Sequence, residues 1–472
     1  MSEGKPLMGW KRTNITPSAR TLLQGQFHAR LSKGTISPLT ATALALEVPG
    51  REGPGEQAVF LSCDLPFDSF KPDLLDALEG RCEDLDHSKL TVNGTHTHTA
   101  PSTERGMYEE PDEEPDFMNP DEYRLWLADR LADAVEEAWE NRRPGGIRRG
   151  FGYAVVGRCR RAVYADGSAE MYGNVNREDF RGLEACDDHA VNMLFTCDED
   201  GEMTGMILNL ACPSQCDESE EKYSADFWHE VREAVREEFG SSIHLLPQCA
   251  PAGDASPHLL MDQMEEKDLR DRMGVNDKEV IASRIMSAVR EGWLYASPLE
   301  TEVRFEHVVK TFELPRMMVS EEEYELEKRI REMSEEERQE QRWGFRRIWP
   351  FGLVCDLVAR YEQQDENPTH PVECHVIRLG DVVFATNPFE LYVDYGARIR
   401  GRSNALQTFL IQEADGSDNG FYLPTERALE GNHYSALTKS NWVGPEGGQM
   451  LVEETLAAIN SLFAGEEYPR TR

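Results

Sequence analysis

Two histidines two residues apart, in Asn93-Gly94-Thr95-His96-Thr97-His98-Thr99-Ala100-Pro101, are the residues of this chain whose type and spacing point most directly to chemistry. They follow a short apolar run, Leu90-Thr91-Val92, that reads as a strand. Side chains of an extended segment repeat every two residues, so His96 and His98 leave the strand end on one side, an arrangement that suits a metal site. The plain alternative is a polar loop. Other reactive side chains stand at further strand or turn ends: Arg177, Cys212, Ser256, Glu390, Tyr422 and Tyr434. Sites in sheet-based folds gather where strands end, so this distribution fits one cleft assembled from distant segments. Each residue also has an ordinary reading. Glu390 can open a helix, where a carboxylate is favourable. Arg177 can be a surface ion pair, and the tyrosines can be half-buried core residues. Ser256 sits in Gly253-Asp254-Ala255-Ser256-Pro257 without the Gly-x-Ser-x-Gly elbow of an α/β-hydrolase, so it can be a turn serine.

The elements that must carry these residues alternate between strands and helices. Apolar runs predict strands at 40–48, 58–63, 147–156, 190–195, 206–210, 243–246, 301–314, 372–379, 382–385 and 406–411. Helical spacing predicts helices over 71–82, 121–141, 226–239, 277–295, 321–340, 387–400 and 449–463. Pro144-Gly145-Gly146 is expected to end the second helix. The alternation predicts one mixed α/β domain over residues 1–472, a β-sheet core flanked by helices, with a charged helical insertion near 316–345.

With 87 acidic against 50 basic residues, the net charge of -37 argues against nucleic acid or an anionic membrane surface as the main partner. No stretch approaches the roughly 18 apolar residues of a membrane span, so integral membrane association is not expected. The polar start, Met1-Ser2-Glu3-Gly4-Lys5-Pro6, lacks the pattern of a secretory signal, which predicts a cytoplasmic protein. In that setting the 10 scattered cysteines, without a Cys-x-x-Cys pair, read as reduced thiols. The acidic run at 108–116 lacks the spaced pattern of a calcium loop.

Five motifs, in order, resemble those of the neutral/alkaline non-lysosomal ceramidases. Gly-Thr-His-Thr-His at residues 94 to 98 resembles that family's zinc-and-substrate loop, and Gly253-Asp254-Ala255-Ser256-Pro257 its Gly-Asp-Val-Ser-Pro turn. Asn176-Arg177 is similar to its Asn-Arg motif, Pro388-Phe389-Glu390 to its Pro-Gly-Glu, and Tyr422-Leu423-Pro424-Thr425-Glu426 with Tyr434 to its Tyr-x-Thr-Thr-x-Glu segment. The resemblance implies a divergent member of that catalytic-domain family that hydrolyses an amide. It implies Zn²⁺ on His96, Glu390 and Tyr422, with His98, Arg177, Ser256 and Tyr434 around the substrate. Zinc lowers the pKa of a bound water to about 7 and polarises a carbonyl, which agrees with these residue types.

The departures from the family are as informative. Where it carries a second zinc histidine, this chain reads Leu210-Ala211-Cys212-Pro213-Ser214-Gln215. Cys212 is then a replacement thiolate ligand, an inert buried thiol or a nucleophile. His229 is a substitute ligand or simply a surface helix histidine. His28, His189 and His433 receive no role. The lip after the histidines, Thr99-Ala100-Pro101-Ser102-Thr103, also differs, and little chain follows Tyr434 for the family's immunoglobulin-like C-terminal domain. The expectation is therefore a zinc-dependent, ceramidase-like amidohydrolase of N-acylsphingosine or another lipid or small-molecule amide. The alternatives are a catalytically silent ligand-binding relative, or a metal-free hydrolase using Ser256 or Cys212.

Overall fold

The strand Thr40–Val48 shows how the core is built. Ala41, Ala43 and Ala45 face one buried cluster, while Leu44, Leu46 and Val48 face another. A strand buried on both faces reads as a continuous apolar run, and small residues on one side let a helix approach closely. The computed structural model describes residues 2–50, 55–67, 69–111, 115–334, 356–416 and 421–466.

Two large sheets stack face to face. The first runs, in spatial order, His244–Cys249, Met203–Leu210, Ala190–Asp198, Arg143–Tyr153, Leu7–Asn14, Thr40–Val48, Glu56–Cys63 and Leu90–Gly94. The second runs Ser2–Gly4, Val303–Pro315, Thr369–Leu379, Val382–Thr386 and Gln407–Ile411. Between them lies a core of Leu44, Phe60, Ile207 and Leu246 from the first sheet against Phe305, Ile377, Phe384 and Phe409 from the second. Helices cover the outer faces. Lys71–Ala77 and Pro120–Glu140 pack on one half of the first sheet, Phe227–Phe239 and Asp277–Leu294 on the other. Val393–Arg402 and Pro445–Leu462 cover the second sheet. The mixed α/β class expected from the alternation is thus realised as helices, sheet, sheet and helices in four layers.

Within the two large sheets most neighbouring strands are antiparallel, but three pairs are parallel: Glu56–Cys63 with Leu90–Gly94, Met203–Leu210 with His244–Cys249, and Val382–Thr386 with Gln407–Ile411. Parallel neighbours finish at the same sheet edge, so the loops that follow them meet. Those loops carry the histidines, Cys212, Ser256 and Glu390.

Several elements differ from the sequence expectation. Pro144-Gly145-Gly146 does not break the chain but opens the strand Arg143–Tyr153. Its glycines lie where a Cβ would strike the neighbouring backbone, at Cys197 and Glu300. Ser2–Gly4, Leu7–Asn14 and the helix Gln263–Met273 were not expected, the last because it buries none of its side chains and so has no apolar stripe. The expected helix over 387–400 starts only at Val393, because Glu390–Leu391 is extended and pairs in parallel with Tyr422–Leu423. Within the charged insertion, Glu321–Glu332 is helical behind a Ser320/Glu323 capping box. Residues 335–355, including the rest of that expected insertion, lie outside the described residues, as do 112–114 of the acidic run. The nine described cysteines are all free thiols. No helix among the described residues is long and apolar enough to cross a membrane.

Candidate functional site

His96 is placed by two main-chain bonds, one from Thr95 and one from its own N–H. The Thr95 N–H donates to Cys63 O (2.9 Å) and the His96 N–H to Leu65 O (3.0 Å), which turns the chain at the end of Leu90–Gly94. His96 takes φ +57°, a left-handed conformation that costs a non-glycine residue about 1–2 kcal/mol. Beneath it, buried Asp64 accepts both terminal nitrogens of Arg232 (2.7 and 2.9 Å) and the Thr40 N–H (2.8 Å). The backbone is therefore not extended here, yet the two imidazoles still face one another, with their Nε2 atoms 3.0 Å apart.

Glu390 arrives from the second sheet. Its N–H donates to Phe421 O (2.6 Å), and it stands beside Tyr422 in the two-residue parallel ladder. The Gly253-Asp254 turn lies directly against it. A Cβ at Gly253 would fall 2.2 Å from Glu390 O, so only glycine lets the turn close on this strand. Glu413, on the loop after Gln407–Ile411, completes the centre with φ +51°.

Ligand atoms of His96, Glu390 and Glu413, all buried, lie within 4.8 Å of one another. Glu413 Oε1 is 2.5 Å from His96 Nδ1, while Glu390 Oε2 is 3.9 Å from Nε2. The imidazole thus has a carboxylate on each side. Burial lowers the His96 pKa, but Glu413 and then Glu390 more than reverse this and push it up to about 9. Burial raises the Glu390 carboxyl against the opposing pull of His96 and Arg160, and the Tyr422 hydroxyl hydrogen-bonds to it. The nearest cations to Glu390, His96 and Arg160 (3.7 Å), both stay outside hydrogen-bonding range. A buried carboxylate in this position, beside an imidazole, a second carboxylate and a phenol, is a donor set that fits a divalent cation.

His98 stands behind His96. Its Nε2 lies 2.9 Å from Gln215 Nε2 and its Nδ1 3.4 Å from Glu218 Oε2. Glu218 in turn meets His258 Nε2 at 3.0 Å. Burial lowers the His98 pKa to about 4, with Glu218 acting in the opposite direction, so the ring is neutral at pH 7. Gly25 (φ +109°) gives the ring its room, because a Cβ there would lie 2.4 Å from His98 Cγ.

The sequence-predicted residues divide clearly. His96, His98, Glu390 and Tyr422 come together, and buried Tyr434 stacks edge-on to Tyr422 at 6.1 Å. Ser256 is buried nearby, its Oγ accepting the His258 N–H (3.1 Å) and lying 3.5 Å from the Tyr172 hydroxyl. Neither contact is an imidazole nitrogen or a carboxylate that could activate it as a nucleophile.

Cys212 does not join the group. Its thiol donates to Pro213 O (3.3 Å), its sulfur is not among the clustered ligand atoms, and burial raises its pKa well above the ordinary value, which disfavours a free thiolate nucleophile. Arg177 is also elsewhere engaged, with Asp179 (2.6 Å), Glu170 (3.2 Å) and the Tyr164 ring. His229 lies in Phe227–Phe239, outside the cluster.

Two residues of the site were missed in the sequence. Arg160 is buried with Nη2 3.7 Å from Glu390, donating from Nη2 to Gly253 O (2.9 Å) and from Nη1 to the Tyr172 hydroxyl (2.7 Å). Glu413 is the other. The available signals were three arginines, Arg158, Arg160 and Arg161, between apolar residues and an acid just past the strand Gln407–Ile411, both too common to single out.

Above Glu390 a small pocket, with a cavity volume of about 30 Å³, opens between Phe67, Met107, Pro388 and Phe421, with Ser69 and Glu104 among its polar groups.

No protein-family model matches the chain, and no curated protein matches it by sequence. Its fold is similar to that of neutral ceramidase from Pseudomonas aeruginosa, with a TM-score of 0.65 over 99% of this chain and 77% of that one, at 15% identity. A structure described as ceramidase complexed with C2 is similar to the same degree, with a TM-score of 0.65 and 14% identity over the same shares of both chains.

Proposed function

We propose that this chain is a metal-dependent hydrolase of a linear amide, ceramidase-like in its chemistry, acting on N-acylsphingosine or another N-acyl amide. The observation that carries the reading is the buried convergence of His96, Glu390 and Glu413, of which Glu390 lines an apolar-walled pocket. The fold likeness to ceramidases supports it.

Zn²⁺ fits the donors, with His96 through Nε2, Glu390 and Tyr422 holding it, and when bound it supplies Lewis-acid polarisation and an acidified water. Glu413 holds the proton of His96 at Nδ1, which keeps Nε2 turned toward Glu390, as the carboxylate partner of a ligating histidine does. His98, neutral and with Glu218 beside its Nδ1, accepts the Gln215 Nε2–H at Nε2, the nitrogen at which it can instead take a proton from the reacting groups. Arg160, held by Gly253 O and Tyr172, offers a fixed buried cation to negative charge developing on the amide oxygen. In this reading Arg160 takes the role that the resemblance gives to Arg177, and Glu413 supplies the support that Cys212 does not. Phe67, Met107, Pro388 and Phe421 exclude water and receive an apolar group of the substrate.

Metal analysis tests the reading first. About one zinc per chain, lost in His96→Ala and Glu390→Ala, is expected, and none under replete conditions refutes it. Turnover of fluorescent ceramide beside short N-acyl amides then identifies the substrate. Hydrolysis of the short amides alone moves the assignment away from lipid.

A further inference from the structure

The loop that carries Glu413 is strained twice, with Glu413 at φ +51° and Asp415 at φ +64°. Two left-handed non-glycine residues within three positions persist only where surrounding contacts over-determine them. Glu413 and Ala414 are held by main-chain bonds to Phe389 O (3.3 Å) and Asn387 O (3.0 Å). The strongest contacts are made by the Asp415 side chain, which is fully buried. Its Oδ1 accepts the Val92 N–H (2.9 Å) and the Lys71 ammonium (2.8 Å). Lys71 also donates to Glu373 Oε1 (3.0 Å), and Glu373 meets His375 Nε2 (3.2 Å). His375 Nδ1 lies 2.8 Å from His307 Nε2, and His307 Nδ1 2.9 Å from Gln57 O.

Lys71 breaks two local rules. It opens the helix Lys71–Ala77, setting a cation at the positive end of the helix, and it is buried. Nothing in the helix itself explains the choice. The explanation lies in what the ammonium touches. It neutralises Asp415, and Asp415 ties the Glu413 loop to Val92, two residues before the end of the strand that leads to His96. One carboxylate thus spans the loop bearing Glu413 and the strand bearing His96, the two groups that must meet at 2.5 Å.

We propose that Lys71 is a positioning residue of the metal centre, acting through Asp415 to hold Glu413 against His96. The proposal rests on the metal reading above. Without Lys71 the Asp415 charge is buried beside no ammonium, and the loop must move outward or take up a proton to remain in place.

The test measures Zn²⁺ affinity by chelator competition and amide hydrogen exchange of residues 411–416, in the full-length protein and its variants. Lys71→Met is expected to weaken Zn²⁺ about tenfold and to speed exchange of the loop about tenfold, while Lys71→Arg restores both. Glu373→Gln, at the half-exposed end of the network, is expected to move both readouts about threefold in the same direction. Unchanged affinity and exchange in Lys71→Met overturn the proposal, and if that variant does not fold, unchanged values in Glu373→Gln do so. A wild-type protein that binds no Zn²⁺ refutes the metal reading instead, and loop exchange alone then decides whether Lys71 positions Glu413.

Discussion

Replacing Glu413 by glutamine keeps the shape of the side chain and removes its charge, which separates an orienting carboxylate from a ligand. In the wild type the carboxylate 2.5 Å from Nδ1 stabilises the His96 imidazolium and raises its pKa to about 9. Two effects on metal binding then oppose each other. The carboxylate orients the ring, and losing such a partner costs about 10–100-fold in metal affinity, or about 1.4–2.7 kcal/mol. The carboxylate also strengthens the proton that competes with the metal, so wild-type affinity must climb about tenfold per pH unit up to about pH 9. In Glu413→Gln, burial acts on His96 with less opposition, the pKa falls, and affinity levels off at lower pH. The gap between the two proteins is therefore small near pH 6 and opens to its full 10–100-fold above pH 9. Chelator competition with Zn²⁺ from pH 6 to 9.5 measures it. A gap independent of pH, or loss of binding as complete as in Glu390→Ala throughout, refutes the orienting role and makes Glu413 a direct ligand. Stability of the metal-free protein follows the same proton. A folded-state pKa above the ordinary 6.5 means that His96 contributes fully below pH 6.5, and that the contribution is lost as pH rises through about 9.

Other outcomes follow from the same geometry. Arg160→Met is expected to lower kcat about 100-fold, whereas Arg177→Ala changes it less than about twofold, because the second arginine is spent on Asp179 and Glu170; steady-state kinetics of both variants compare them directly. Arg232→Met leaves Asp64 buried without its partner and should cost about 3–5 kcal/mol in urea unfolding. Gly25→Ala puts a Cβ into the His98 ring at φ +109°, and is expected to cost about 1–3 kcal/mol and to reduce turnover at least about tenfold. Hydrogen bonding to His375, then Lys71, hold Glu373 at about 2 against its burial. Because that value lies below the ordinary 4.5, its contribution is full above pH 4.5 and disappears as pH falls toward 2, an acid limb that urea midpoints should find reduced in Glu373→Gln.

The strands were legible because burial on one or both faces writes an apolar run of period two into the chain, and the helices where an apolar stripe or a cap marked them. The helix Gln263–Met273 and the strand opening at Arg143 were not legible, since one buries nothing and the other begins with residues that ordinarily break structure. For the site, type and spacing raised His96 and His98 as candidates, the resemblance to the ceramidase motifs added Glu390 and Tyr422, and the fold brings these four together. Partnership was not in the sequence. Arg160 and Arg177 look alike as residues, and only the fold buries one beside Glu390 and leaves the other in a surface ion-pair network. Cys212 stands at a strand end like the others, but its thiol turns to its own backbone. Glu413 became visible only when the parallel pair Val382–Thr386 and Gln407–Ile411 brought its loop to the edge where Leu90–Gly94 ends. The sequence by itself determined which side chains can ligate and which segments extend. Which strand ends meet is a matter of pairing within each sheet and of the stacking of the two sheets, and that stacking of segments hundreds of residues apart set His96 between two carboxylates.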